Sequence, residues 1–385
     1  MPSILILTYS NINRDPRVLK QISFFRNQGF EIVLSSLEYQ GNLTFFPIRK
    51  QKKLVFRALK LVTMIFRLKK LRVWEFVRNS SFEELKNQSR FDLIFANDEE
   101  TWPIAEKLQK LNPNTKLVID AHEYYPGQFN DQISWSLFHK WYSDYLCETY
   151  PKTADFFITV CDGLARAYEK KYVKKALVIL NTPDFESDLN PVPVGEKIKL
   201  IHHGIAVRSR KIEKMIQMMD VLDSRFEMNL MLMPTDLSYY KELQIQAKGK
   251  SVNFLPPVPT KEISSFLNQF DIGLFLLEPV NFNYEFALPN KFFEFIQARL
   301  AIAIGPSPEM KKILEKESLG VVSDNFDGLE LAKRLNQLSN NDIFLFKQRC
   351  HEVAFQYSSH QNEKVFASIL DVIGFHPQFE KKLAT

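Results

Sequence analysis

The chain has 385 residues, 45% of them hydrophobic and 25% charged, with a formal net charge of +5. That length exceeds one ordinary core and calls for two domains, and the composition is that of a soluble globular protein, not a disordered or fibrous one. Three scattered cysteines, Cys147, Cys161 and Cys350, argue against a disulfide framework, and no apolar run approaches the ~18 residues of a membrane span.

Residues 4–8 read as a strand and not as a secretory leader, because no basic segment precedes them. A helix is expected over 16–27 and a strand over 31–35. From 39 to 74 the chain has no acidic residue, and within it the basic stretch 49–74 has helical periodicity. Lys53, Arg57, Lys60 and Arg67 fall on one side, and Leu54, Leu61, Ile65 and Leu68 on the other. A basic amphipathic helix of this kind suits an anionic membrane surface. The same pattern fits a helix packed on a sheet with its charges solvated. Nucleic acid is not expected as a partner, because no RNA- or DNA-binding motif accompanies the charge.

Four further strands are expected, over 93–96, 116–120, 156–160 and 176–180, separated by helical patterns. Near-continuous apolar runs joined by helices are the mark of buried parallel strands. Pro183, Pro191 and Pro193 then break the rhythm, and 184–197 reads as a linker. The alternation restarts with strands over 199–202, 229–233, 252–255, 271–277, 300–304 and 320–323, and helices over 342–356 and 360–373 close the chain. The expected fold class is α/β, with two tandem doubly wound Rossmann-like domains over 1–183 and 198–358, followed by a last segment, 359–385. Ligands of such sheets bind outside the carboxyl ends of the strands, so a cleft between the two domains is the expected site.

The turn after the first strand, 9–17, contains no glycine, which argues against a dinucleotide-binding GxGxxG loop and against a P-loop. Metal-ligand spacing is missing too, and His202 and His203 adjoin in a strand and so face opposite ways. His122 ends the strand at 116–120, where α/β active sites form, and its near-neutral pKa suits hydrogen bonding or proton transfer. A purely structural histidine would look the same. Asp98 lies at the equivalent end of the preceding strand. In the second half, Gly204 permits close approach of a ligand to the backbone, and Arg208, Arg210 and Lys211 follow it before a helix. The segment 288–295, Leu-Pro-Asn-Lys-Phe-Phe-Glu-Phe, places Asn290 and Lys291 at a helix start, where free N–H groups attract anions, with Glu294 on the same face. Cations beside phosphate and a carboxylate one turn deeper, able to accept from sugar hydroxyls, make a grip for a nucleotide-diphosphate sugar. A surface ion pair at the start of a helix has the same spacing.

Several of these segments together resemble glycosyltransferase family 4, of GT-B fold, over nearly the whole chain. Asp15-Pro16-Arg17-Val18-Leu19-Lys20 resembles the first-helix motif of one branch. Asn97-Asp98 with Thr101-Trp102-Pro103 resembles its HDxxTLP segment, Asp120-Ala121-His122-Glu123 its DxHE strand end, and Ile158-Thr159-Val160-Cys161 its ITVS element. Asn181-Thr182-Pro183 is similar to the NxP before its linker, 288–295 to LPNKxFEY, and 306–313 to the segment after it. The resemblance implies transfer of a sugar from a nucleotide donor with retention at the anomeric carbon, without metal or other cofactor. It implies that Glu294 holds the donor ribose, that Lys291 faces the donor's distal part, that Arg210 binds diphosphate, and that His122 stands on the acceptor side near the transferred sugar. It also implies that the last helix returns to the first domain. Three positions depart from the pattern. Ile205 stands where an arginine is usual, Phe286 stands in place of the first glutamate of a pair, with Glu285 one position away and Glu278 farther upstream, and the glycine-rich loop is absent.

The expected function is a retaining, metal-independent glycosyltransferase acting on a lipid-linked or growing glycan acceptor, cytoplasmic and peripheral on the inner face of the cell membrane. Two alternatives stay open: a non-catalytic sugar-nucleotide-binding or assembly subunit, and a nucleotide-sugar epimerase.

Overall fold

A computed structural model describes residues 1–49, 54–88, 90–172 and 174–375, with the backbone alone for 54–57. The chain forms two units, one of Met1–Ile179 together with the chain from Glu363 onward, the other of Leu180–Asn362.

The first unit is built on a seven-stranded sheet. Its strands are β1 (Ser3–Leu7), β2 (Glu31–Ser36), β3 (Thr44–Pro47), β4 (Leu93–Asn97), β5 (Lys116–Ala121), β6 (Phe156–Thr159) and β7 (Leu177–Val178), in the spatial order β3-β2-β1-β4-β5-β6-β7. Every pairing is parallel. β1 and β4 are buried at every position, which is why they read as unbroken apolar runs. The helix Pro16–Asn27 starts where Asp15 accepts from the Val18 N–H and Pro16 takes the first turn. It packs Val18, Ile22 and Phe25 against Ile4, Ile6 and Phe95. Phe366, Ile369 and Leu370 of the final helix, Ser359–Val372, join the same core.

The second unit has a six-stranded sheet. Its strands are β8 (Ile198–Ile205), β9 (Phe226–Met233), β10 (Val252–Leu255), β11 (Ile272–Phe275), β12 (Ala301–Ile304) and β13 (Gly320–Val322), in the order β10-β9-β8-β11-β12-β13 and again all parallel. In both sheets the winding reverses beside the first strand, between β1 and β4 and between β8 and β11, and such reversals open the crevice where doubly wound sheets bind ligands. The helix Asn290–Gln297 lies unusually close to β11. A Cβ on Gly273 would sit 2.3 Å from the Phe295 ring, so only glycine lets the two meet. The irregular chain 180–197 is tied to this unit: Arg299 donates to the Glu186 carbonyl at 2.6 Å, and Ser359 N–H to the Pro183 carbonyl at 2.7 Å.

The basic stretch departs from expectation. It does not form one helix but two, Leu54–Ile65 and Lys69–Asn79. The break is at Arg67, left-handed at φ 51°, where the Leu68 N–H reaches back to the Thr63 carbonyl. This is a glycine-type helix stop made by an arginine, so periodicity carried no warning of it. Arg67 therefore sits in a turn and does not share a helix face with Lys60; both are exposed. Lys53 lies outside the described residues, as does the side chain of Arg57. Among the described residues no helix is long and apolar enough to cross a membrane.

Candidate functional site

Each sheet carries a polar group of side chains at its reversal point, and the two groups differ in charge.

In the first unit the centre is Asp120, fully buried at the end of β5. Arg17 grips it with both ends of its fork, Nε at 2.7 Å and a terminal nitrogen at 2.8 Å, and passes its remaining nitrogen to the Ile179 carbonyl. Gln21, one turn along the same helix, bridges Asp120 and Asn97, each at 2.9 Å. His122 Nε2 lies 3.1 Å from Asn97 Oδ1 and 3.5 Å from Asp120 Oδ2, with its Nδ1 3.8 Å from Asp98 Oδ1. Burial alone would raise the Asp120 carboxyl, but Arg17 and His122 hold it well below the carboxylate range. For His122 burial works against the charged ring, and Asp120 and Asp98 overcome it, so its pKa lies above the ordinary 6.5. Asp98 adopts a left-handed φ of 63° directly after β4, and its other oxygen accepts from Thr8 Oγ and the Tyr9 N–H, both at 2.8 Å. The acidic segment continues into Glu99 and Glu100 before the helix Trp102–Leu111 begins. Burial, and then the neighbouring Asp98, push Glu100 up to about 7.

In the second unit the centre is Gly204, near the end of β8, at φ 135°. A Cβ there would meet Lys291 Nζ at 2.9 Å and come within 3.7 Å of an Arg210 terminal nitrogen. Two cations thus converge over one glycine. Lys291 is 6% exposed and Glu294 8%, which rules out a surface ion pair for this helix start. The Lys291 ammonium donates to the His203 carbonyl at 2.6 Å and stands 4.5 Å over the Phe275 ring. Burial, and then Arg210, drive its pKa well below the usual lysine value. Arg210 is lowered by burial as well, partly offset by the Tyr284 hydroxyl, and its Nε is buried without a hydrogen-bond partner. Two desolvated like charges, one with an idle donor, make a setting in which a nearby anion would be electrostatically favoured. Glu294 Oε2 lies 3.2 Å from His203 Nε2, though outside hydrogen-bonding geometry. Burial and the Lys291 charge hold His203 well below 6.5, so the ring is neutral. His202 points the other way, Nδ1 donating to the Leu274 carbonyl at 2.9 Å, and is likewise neutral.

The structure does not bring every expected residue to this group. Arg208 forms a forked pair with Glu242 at 2.6 and 2.8 Å, and Lys211 and Lys214 both pair with Glu278. Glu285 is exposed in the short helix Phe282–Glu285, whereas Tyr284 beside it reaches the arginine. Asn290 is the first helical residue, half-buried. Among the described residues no group of three His, Cys, Asp or Glu is arranged to hold a metal ion. Sequence reasoning missed Gln21, Tyr284 and the approach of His203 to Glu294. All three depend on contacts between distant segments and leave no local spacing.

No family model matches the chain, and no curated protein matches it in sequence. Solved structures do match in shape. Sucrose-phosphate synthase from Thermosynechococcus elongatus superposes with a TM-score of 0.71 at 12% identity, covering 97% of this chain and 99% of that one. Anabaena HepE in complex with UDP gives 0.68 at 14% identity, covering 97% and 100%. An E. coli trehalose-6-phosphate protein bound with UDP-2-fluoro glucose gives 0.62 at 10% identity, covering 98% and 100%. With the two parallel sheets, these likenesses show a two-domain Rossmann-like GT-B fold.

Proposed function

We propose that the protein is a glycosyltransferase that takes a sugar from a nucleotide-diphosphate donor. The observation that carries this reading is the pair of buried cations, Lys291 and Arg210, over Gly204. At a reversal point of a doubly wound sheet, such a pair suits the diphosphate. Glu294, one turn farther along the helix, suits the ribose hydroxyls. The solved structures that resemble this chain and hold UDP or a UDP-sugar support the same reading.

In the reaction, the bond between the anomeric carbon and the distal phosphate oxygen breaks. The acceptor oxygen bonds to that carbon on the same face, and the hydroxyl proton passes to the departing phosphate. Negative charge grows on the diphosphate as the bond breaks. Fixed, already desolvated cations stabilise that charge without reorganisation, which is why they are worth more here than in water. His122 and Asp98 are read as the acceptor-side groups, with His122 hydrogen-bonding the transferred sugar. The nucleotide sugar is a co-substrate, and the reading assigns no metal or other cofactor. The acceptor is read as lipid-linked or a growing glycan, at the inner membrane face. Exposed Lys60, Arg67, Lys69 and Lys70 support an anionic surface as partner, each contributing about 1 kcal/mol near such a leaflet.

The test is release or transfer of sugar from UDP-, GDP- and ADP-sugars by the purified protein, with Lys291→Ala and Glu294→Ala beside it. Loss of turnover in both variants is expected, and turnover untouched by both rejects this donor site. For the membrane reading, binding to anionic vesicles that weakens with salt is expected, and equal binding to neutral vesicles rejects it.

A further inference from the structure

One side chain at the second edge is not used by the proposed function: the ring of His203. It lies near the end of β8, directly before Gly204, and is 5% exposed. Its Nε2 is buried and has no hydrogen-bond partner among the described residues. Burying a polar atom without a partner is unfavourable, so a strand position that only filled the core would be better served by an apolar side chain.

Residue 203 meets both polar groups of the helix Asn290–Gln297. Its carbonyl accepts from Lys291 at 2.6 Å, and its Nε2 stands 3.2 Å from Glu294 Oε2. Lys291 and Glu294 are three residues apart on one helix face, so a single strand-end residue spans the two. The place of the ring is set by packing. Phe295 meets it edge-on, centroids 5.5 Å apart, and Phe295 itself lies over Gly273, where a Cβ would come within 2.3 Å of the phenyl ring. Burial, Lys291 and Arg210 keep the imidazole neutral, so it carries one proton, on Nε2 or on Nδ1. With Nε2 bare, its lone pair would face a carboxylate oxygen at 3.2 Å and repel it. With the proton on Nε2 the same separation is within hydrogen-bond reach. Only alignment is lacking, and the last torsion of a glutamate is soft enough to supply it.

We propose that His203 is a positioning residue for Glu294: its Nε2–H holds one carboxylate oxygen and leaves the other for the donor's ribose, which makes the site select ribonucleoside over 2′-deoxyribonucleoside diphosphates. The proposal rests on the sugar-transfer reading, in which Glu294 takes the ribose hydroxyls. A carboxylate free to turn about its last bond adapts to one hydroxyl or to two. One held by the ring presents a fixed acceptor, and a donor lacking a hydroxyl leaves that buried acceptor unpaired.

The probes are UDP, GDP and ADP, each beside its 2′-deoxy counterpart and its nucleoside, titrated calorimetrically into the full-length protein. For the diphosphate that binds most tightly, wild type is expected to prefer the ribo form by at least ~tenfold. His203→Gln keeps an N–H donor and is expected to retain most of that preference. His203→Val, a residue suited to a strand, is expected to reduce it below about threefold. A merely structural role would weaken the ribo and deoxy forms alike and leave their ratio unchanged. Thermal melting shows whether both variants fold. Imidazole nitrogen NMR of the wild type needs no folded variant and is expected to find the His203 ring proton on Nε2. Three results overturn the proposal: equal binding of ribo and deoxy forms by wild type, an unchanged ratio in folded His203→Val, or a ring proton on Nδ1. If no diphosphate binds more tightly than its nucleoside, the donor reading fails and this proposal with it. A diphosphate gain without a ribo preference overturns this proposal alone.

Discussion

The two sheet edges solve opposite electrostatic problems. In the first unit, buried Asp120 is answered by a forked Arg17, a bridging Gln21 and His122, so the charges are balanced inside the protein. In the second, Lys291 and Arg210 are buried over Gly204, their repulsion only partly offset by Glu294 and Tyr284, with an arginine donor idle. At the first edge the hydrogen bonds of Arg17, Gln21 and Asn97 tie β1, β4 and β5 to the first helix. The second stores unfavourable charge that an anion would relieve. The same fold thus yields one edge whose central charge is paired internally and one that, in our reading, is prepared for an anion, and the contrast can be tested from both sides.

The largest expected effect is at the balanced edge. Asp120→Ala removes the carboxylate that the buried Arg17 grips and is expected to cost about 3–5 kcal/mol in urea unfolding, against which a loss under 1 kcal/mol would count. Next is Gly204→Ala. Its φ of 135° and the 2.9 Å approach of Lys291 combine strain with displacement of the cation. A loss of ~1–3 kcal/mol of stability is expected, with UDP affinity down at least ~tenfold. Lys291→Met separates the two edges most sharply. Removing a repelled, buried charge is expected to stabilise the ligand-free protein by about 1 kcal/mol while abolishing nucleotide-diphosphate binding. A destabilised ligand-free variant would mean that the cation supports the fold.

The smallest effect is in pH dependence, and its sign differs between the edges. His122 has a raised pKa, so its contribution is complete below about 6.5 and is lost as pH rises through the higher folded value. His202 and His203 have lowered pKa values. Their neutral rings favour the folded state above about 6.5, and that contribution is lost as pH falls. Proton NMR titration of the imidazole Cε1–H signals should find His122 titrating above 6.5 and His203 still neutral below it. Titration of all three near 6.5 would erase the distinction.

Much of the architecture was legible because buried parallel strands leave unbroken apolar runs. The strand at 252–255 matches β10 residue for residue, and most of the others agree within one to three residues at their ends. β3 was missed, since Thr44–Pro47 is short, only half-buried and ends in proline. The helix break at Arg67 was missed because a left-handed arginine carries none of the signal of a glycine stop. At the second edge, the proximity of Lys291, Arg210 and Gly204 followed from their places at the ends of adjacent elements. That Arg208 and Lys211 turn away did not follow, because their partners Glu242 and Glu278 lie on elements remote in sequence. Nor did the bridging of Asp120 by Gln21, which depends on how the first helix lies across β4 and β5.

The central claim, that the cation pair of the second unit grips a diphosphate, is most directly tested by calorimetric titration of the wild-type protein with UDP and with uridine. The account predicts that UDP binds at least a hundredfold more tightly than uridine and that Lys291→Met removes the difference. Equal affinity for the two ligands, or a difference that survives the substitution, would contradict it.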